Sequence, residues 1–131
     1  MTAEITALIW SAVLAWLMLV AASALRTEIW TPEGMRIALG NRERLPPPTP
    51  LAGRADRAAR NMLESLVLFT AALVAVAING SPTENSHLGA KLFFWARLAY
   101  WPCYLAGIIY LRTAIWLVSV VGLALVASAV L

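Results

Sequence analysis

Cysteine and histidine are almost absent from this chain of 131 residues, which contains one of each. A single cysteine excludes a disulfide within the chain, and one cysteine with one histidine excludes a zinc site built from soft ligands. The sequence also lacks a glycine-rich phosphate loop and a Ser/His/Asp set suited to nucleophilic catalysis. We therefore expect no metal, and we look for chemistry among other residue types.

Charged residues are scarce as well, at 13% of the chain, whereas soluble domains contain about 25%. Hydrophobic residues make up 61%, and four apolar segments approach the roughly 20 residues that a bilayer-spanning helix needs. These segments are residues 5–25, 57–78, 88–110 and 113–131. The sequence predicts an all-α integral membrane protein, a single domain over residues 1–131 built as a four-transmembrane-helix bundle. Membrane lipids are its expected surroundings, and we expect no nucleic-acid partner.

The basic residues are distributed unevenly along the chain. Seven of the ten lie between the apolar parts of the first two spans, and they are Arg26, Arg36, Arg42, Arg44, Arg54, Arg57 and Arg60. Because cytoplasmic connections are enriched in Lys and Arg, this excess predicts a cytoplasmic first connection. With four spans, both termini then lie outside, and the protein is a multi-pass membrane protein.

The sequence also predicts the conformation of the first and third connections. Residues 45–50 contain four prolines, which exclude a helix and predict an extended strap over the cytoplasmic helix ends. We place the start of the second span after Gly53. The third connection is expected to be a very short turn near Leu111 and Arg112.

A polar stripe marks the start of the second span. At about 100° per residue, Arg57, Arg60, Asn61 and Glu64 fall on one face of that helix. Polar side chains at this depth are expensive to bury in a membrane, so they need protein partners or a ligand. Glu64 is the one acidic residue well inside a span, and we expect it to pair with Arg57, Arg60 or a neighbouring arginine.

The third span carries a second polar group. Arg97, Tyr100 and Tyr104 follow the spacing i, i+3, i+7 and therefore share a face, with Arg112 at the end of the span. An arginine in mid-span must find a carboxylate, carbonyl groups or water. The alternative for Arg97 alone is a structural role, in which it fixes the register of two helices.

A comparison of depths relates the two spans. With the third span leaving the membrane near Tyr110, Tyr104 is expected at the depth of Glu64, with Arg57 and Arg112 above them. Arg97 would then lie roughly 10 Å deeper and have a different partner. The set predicts a polar pocket that opens to the cytoplasm and suits a small zwitterionic or anionic ligand. Arginines would bind its carboxylates and Glu64 its amine.

Two motifs resemble those of a known family, the membrane-associated proteins in eicosanoid and glutathione metabolism (MAPEG). The first motif is Arg54-x-x-Arg57-x-x-x-Asn61-x-x-Glu64 followed by an apolar run. The second is Ala96-Arg97-x-x-Tyr100-x-x-x-Tyr104 with a later Arg112-Thr113. The resemblance extends over nearly the whole chain through its length, its spans and its proline-rich first connection. It is closest to bacterial-type members related to microsomal glutathione transferases, which implies a bacterial inner membrane.

The resemblance implies a homotrimer with glutathione, as co-substrate, bound between neighbouring subunits. Three residue groups follow from it: Arg57, Asn61, Glu64, Tyr100 and Tyr104 for glutathione binding, Arg112 and Thr113 for catalysis, and Arg54, Arg60 and Arg97 as accessory residues. Arg112 would stabilise the glutathione thiolate, and Thr113 would offer a hydroxyl near the sulfur. The second substrate would be a lipophilic electrophile or peroxide that arrives through the bilayer. Ser65 stands where the best-studied transferases have an aromatic or amide residue.

Two other functions remain open at this point. The same pocket would serve a non-catalytic membrane protein that binds a lipid headgroup or another thiol. A small proton-coupled exporter is the third hypothesis, since such transporters centre on a membrane glutamate. The first span of this chain has no acid beyond Glu4 at its start, which argues against the exporter.

Overall fold

The computed structural model describes all 131 residues and contains helices as its only regular elements. In chain order these are α1 (Thr2–Thr27), α2 (Pro32–Leu39), α3 (Pro50–Asn79), α4 (Glu84–Leu105) and α5 (Ile109–Ala127). The predicted all-α class is confirmed.

Three of the five helices, α1, α3 and α5, are long and apolar enough to cross a membrane. The prediction of four such segments therefore holds for three. α4 has 22 residues, but its sequence includes the polar side chains of Glu84, Lys91 and Arg97, and no stretch of it is as apolar as the spanning stretches of those three helices. α4 packs against α1, α3 and α5, and its contact with α5 is the most extensive in the fold.

The first connection is more structured than the sequence indicated. Pro32–Leu39 forms the short helix α2, whose first turn is capped by the Thr31 side chain accepting from the Gly34 amide at 2.9 Å. The expected extended strap is present over residues 45–49, where the chain has no helix. The Arg26 guanidinium at the end of α1 donates to the Pro46 carbonyl oxygen and thereby ties the strap to the bundle.

The predicted start of the second span, after Gly53, is wrong by one turn. α3 begins at Pro50, because proline at a first helical position forfeits no hydrogen bond and Thr49 caps the helix with a bond of 3.1 Å to the Ala52 amide. The polar residues from Arg54 onward are therefore already helical where they meet the strap.

The predicted third connection, near Leu111 and Arg112, is also wrong. α4 ends at Leu105 and the turn occupies residues 106–108, where Gly107 has φ +77°, a backbone conformation that glycine adopts without strain. Tyr110 and Arg112 consequently belong to the first turn of α5, and the helix itself ends at Ala127 instead of 131.

Close packing holds the helices together. Phe69 of α3 stacks on Phe93 of α4 with ring centroids 4.0 Å apart. Between α4 and α5, Gly89 faces Gly122 so closely that a Cβ atom placed on Gly122 would lie 2.7 Å from the Gly89 carbonyl oxygen. The lack of a side chain at Gly122 thus lets the backbones of α4 and α5 approach each other closely.

Candidate functional site

A polar cavity of about 210 Å³ lies where α3, α4 and α5 meet, near the end of the bundle that carries the strap. It is lined by Asn61, Tyr100, Tyr104, Arg112, Thr113 and Trp116. Five of these six side chains were singled out from the sequence, although they come from three different helices. The structure therefore brings the larger part of the predicted set together.

Arg112 and the two tyrosines form the cationic wall of this cavity. The Arg112 guanidinium lies 4.5 Å from the centroid of the Tyr104 ring, and the Tyr104 and Tyr100 rings meet edge to face at 5.4 Å. A cation over an aromatic face is held without using its N–H donors. Arg112 makes no ion pair within the chain, so its planar set of donors is available to an anion.

The turn before α5 is what positions Arg112. Arg54, near the start of α3, donates from Nε to the Leu105 carbonyl oxygen at 2.9 Å and so satisfies the end of α4. Gly107 lies beside the same Arg54 side chain and reverses the chain into α5. Arg54, an accessory residue in the sequence interpretation, therefore supports the site by holding the turn.

Arg97 lies at a different depth from the one predicted. Its side chain is fully buried, and Nη2 donates to Asn61 Oδ1 at 2.7 Å and to Ser65 Oγ at 3.0 Å. Arg97 is therefore level with Asn61 and Ser65 and is not about 10 Å deeper than Glu64. The cause is the earlier end of α4: five residues at 1.5 Å each displace its side chains by about 7.5 Å relative to α3.

Although Arg97 lies at about the same depth as Glu64, the two side chains do not form an ion pair. Glu64 is exposed on another face of α3 and forms none of the ion pairs in the chain. The expected pairing with Arg60 is absent too, because Arg60 Nε lies 3.1 Å from Asp56 Oδ2, one turn earlier. Glu64 thus presents a free carboxylate outside the cavity, and the predicted approach to Tyr104 is not seen within one chain.

Arg57 and Arg60 occupy a second cavity, of about 340 Å³, beneath the strap. Its wall also includes Arg26, Asp56 and the strap residue Pro48. The polar stripe of α3 is consequently divided. Asn61 faces the first cavity, the two arginines face the strap, and Glu64 faces away from the chain.

Three features of the site were missed from the sequence. Trp116 adds an indole to the cavity wall one turn after Arg112, a spacing of i, i+4 that would have suggested it. Ser65, noted only as a departure from the transferase pattern, is a partner of Arg97. The Thr113 hydroxyl donates to the Ile109 carbonyl oxygen at 3.1 Å, a bond within its own helix that the sequence does not reveal.

Comparison with protein families gives a match to the model of the MAPEG family over residues 3–131. The chain belongs to the MAPEG family. The resemblance drawn from the two polar motifs is thereby confirmed for essentially the whole chain. Comparison with curated proteins and with solved structures found no significant match.

Family membership and helix composition together identify a membrane protein. MAPEG is a family of membrane proteins, and three helices of this member are apolar enough to span a bilayer. The polar cavity of this MAPEG member therefore lies among helices that include two long and apolar enough to span a bilayer, α3 and α5. Desolvated donors act strongly in such surroundings.

Proposed function

We propose that this protein binds glutathione and transfers its thiolate to lipophilic electrophiles, with peroxides as alternative substrates. The MAPEG family includes glutathione transferases and related proteins. The observation that carries the proposal is the Arg112 guanidinium, fixed 4.5 Å over Tyr104 in a polar cavity and free of any carboxylate within the chain.

The chemistry follows from that charge. A thiolate, and not a thiol, is the nucleophile, and a neighbouring guanidinium favours the anionic form. The thiol proton leaves to solvent, the sulfur forms a bond to the electrophilic carbon, and the leaving group departs with its electron pair. Thr113 is assigned a supporting role, because its hydroxyl must release the Ile109 carbonyl before it can donate to sulfur.

In this proposal, the carboxylate and amine groups of glutathione are bound by residues of a second subunit. Arg57 would bind a carboxylate of the peptide and Glu64 its amine, while Asn61, Tyr100 and Tyr104 line the thiol end. Arg57 and Glu64 are exposed and lie outside the Arg112 cavity of their own chain. We therefore assign them to the Arg112 cavity of a neighbouring subunit in a homotrimer.

We also propose that α4 crosses the membrane as the fourth span of each subunit. Its 22 residues give a length of about 33 Å, enough for the hydrocarbon core of a bilayer. The buried Arg97 is bonded to α3 and is therefore not presented to lipid. Four spans keep both termini on one side, opposite the basic first connection, in a bacterial inner membrane.

The decisive test is the ionisation of bound glutathione. A free thiol is only a few per cent ionised at pH 7, so thiolate absorbance on addition of glutathione to the purified protein reports activation. We expect this absorbance for the wild-type protein and its loss in Arg112→Ala. We also expect a fall in kcat/KM of about 10²- to 10³-fold with a lipophilic electrophile.

Arg44→Ala is the matched control, since Arg44 is exposed in the first connection and does not line the cavity. It should leave absorbance and turnover unchanged. Absence of both binding and thiolate at millimolar glutathione would contradict the proposal. Binding without thiolate and without turnover would instead indicate the non-catalytic binding protein.

A further inference from the structure

A third cavity lies towards the other end of the bundle, between the first turns of α1 and the middle of α4. Its volume is about 520 Å³, within the range of ligand sites. Two stripes line it, each with the spacing i, i+3, i+4, i+7: Ala3, Thr6, Ala7 and Trp10 on α1, and Lys91, Phe94, Trp95 and Leu98 on α4. The small side chains of Ala3, Thr6 and Ala7 on α1 leave the cavity open, and the larger side chains on α4 form its opposite wall.

Lys91 is the one charged residue that lines this otherwise apolar groove. Lys91 is exposed and forms none of the ion pairs within the chain. A lysine on an apolar wall keeps its ammonium group near polar surroundings and seeks an anion. The groove therefore combines an unpaired cation with space for a hydrocarbon chain.

The nearest acid does not serve as the counter-ion of Lys91. Glu4 is fully buried, and its Oε1 accepts from Ser86 Oγ at 2.6 Å and lies 2.7 Å from His87 Nδ1. The Met1 amino group is 3.6 Å from Oε2. Glu4 is thus occupied by three other groups and leaves the ammonium free.

A second copy of the chain is a poor match for the groove. The contact of Glu4 with α4 places the starts of α1 and α4 at one end of the bundle, where Glu84 is the only other acid. Glu84 lies seven residues before Lys91 on the same helix, or about 10 Å away along its axis. A parallel copy would therefore bring no carboxylate to the level of Lys91.

We infer that the α1–α4 groove binds an anionic phospholipid of the leaflet at the N-terminal end. Lys91 pairs with the phosphate and one acyl chain lies along Trp10 and Trp95, which are 56% and 62% exposed. Indole rings are favoured at the membrane interface, where the headgroup and acyl chain of a lipid meet. The site is separate from the Arg112 cavity, because Lys91 and Tyr104 are 13 residues, or about 20 Å, apart along α4.

The inference is tested by native mass spectrometry of the delipidated full-length protein in neutral detergent. Dioleoyl phosphatidylglycerol and dioleoyl phosphatidylcholine are the two probes. We expect Lys91→Gln to weaken binding of the first phosphatidylglycerol about fivefold, since one lysine near a surface contributes about that factor. We expect a smaller loss for phosphatidylcholine, because its choline ammonium offsets the charge of the same phosphate. Thr6→Trp fills the groove at an exposed position and should weaken both lipids.

Arg44→Gln removes one positive charge at the opposite end and is the matched control, expected to bind phosphatidylglycerol as the wild type does. Equal phosphatidylglycerol affinity of Lys91→Gln and wild type overturns the inference. An equal loss in Arg44→Gln and Lys91→Gln also overturns it, because binding would then depend on net charge. If Thr6→Trp keeps both lipids but dissociates the oligomer, the groove belongs to a subunit interface.

Discussion

Arg97 shows how one side chain can link two helices and a site. Its guanidinium bonds to Asn61 and Ser65 of α3, and the same group lies 4.7 Å from the centroid of the Tyr100 ring. Asn61 and Tyr100 both line the cavity that contains Arg112. A buried arginine is stable only with partners of this kind, so Arg97 fixes the wall of the site from behind without reaching the cavity itself.

Replacement of Ser65 by alanine tests this link. The change leaves Arg97 with one partner fewer in a buried position, and we expect a loss of about 1–3 kcal/mol in the free energy of unfolding. The measurement is the thermal unfolding midpoint in detergent. Ser128→Ala is the control, because the Ser128 hydroxyl bonds only to the Leu125 carbonyl near the end of the chain. Equal midpoints for the two variants would contradict the role of Ser65.

At the level of elements, the α4–α5 pair determines where Arg112 lies. The two helices have the most extensive contact in the fold, and they touch backbone to backbone at Gly89 and Gly122. The short turn at residues 106–108 allows this antiparallel contact and sets Arg112 beside Tyr104. The helix pair therefore acts as the rigid support of the Arg112 cavity.

Gly122→Ala should weaken that support. Its Cβ would lie 2.7 Å from the Gly89 carbonyl oxygen and 2.8 Å from the Phe93 amide nitrogen, so the helices must move apart. We expect a loss of about 1–3 kcal/mol of stability, read from unfolding in detergent. Gly40→Ala makes the same substitution in the exposed first connection and should have little effect. A Gly122→Ala protein as stable as Gly40→Ala would show that the contact is not tight.

The sequence predicted the helical class, the extended strap and the five cavity residues Asn61, Tyr100, Tyr104, Arg112 and Thr113, because apolar runs, prolines and helical spacing are local signals. It misplaced the turn, since residues 106–112 contain no strong breaker except Gly107 and stay apolar up to Arg112. That error of five residues propagated into the depth of Arg97. The contacts of Arg97 with Ser65 and of Glu4 with His87 join residues 32 and 83 positions apart, which no local pattern reveals.

For the whole molecule, the exposed face of α3 is the surface best suited to contact a second subunit. Glu64 shares this face with Leu63 and Val67, and a carboxylate flanked by apolar side chains would be costly against lipid. In the proposed homotrimer, coverage by a second subunit would remove that cost and bring Glu64 to another chain's Arg112. The proposed homotrimer and the proposed site thus rest on the same surface.

Complementation between inactive subunits tests this arrangement. Glu64→Ala and Arg112→Ala are each expected to lose activity with glutathione. Co-expressed and randomly mixed in trimers, they should regain about one intact site in four, because such a site needs Glu64 of one chain and Arg112 of the next. Mixing the two purified proteins without subunit exchange is the control. No recovery in mixed trimers would place both residues of the site in a single subunit.

The bonds from Arg97 to α3 also bear on how the chain enters the membrane during synthesis. Alone in the hydrocarbon, α4 would carry its guanidinium at a cost of about 2.5–3.5 kcal/mol. α3 precedes it along the chain and brings Asn61 and Ser65, which can satisfy that group. If α4 spans the membrane as proposed, we expect α3 to remain beside the insertion machinery until α4 has followed it, so that the two helices enter the lipid together as a hairpin.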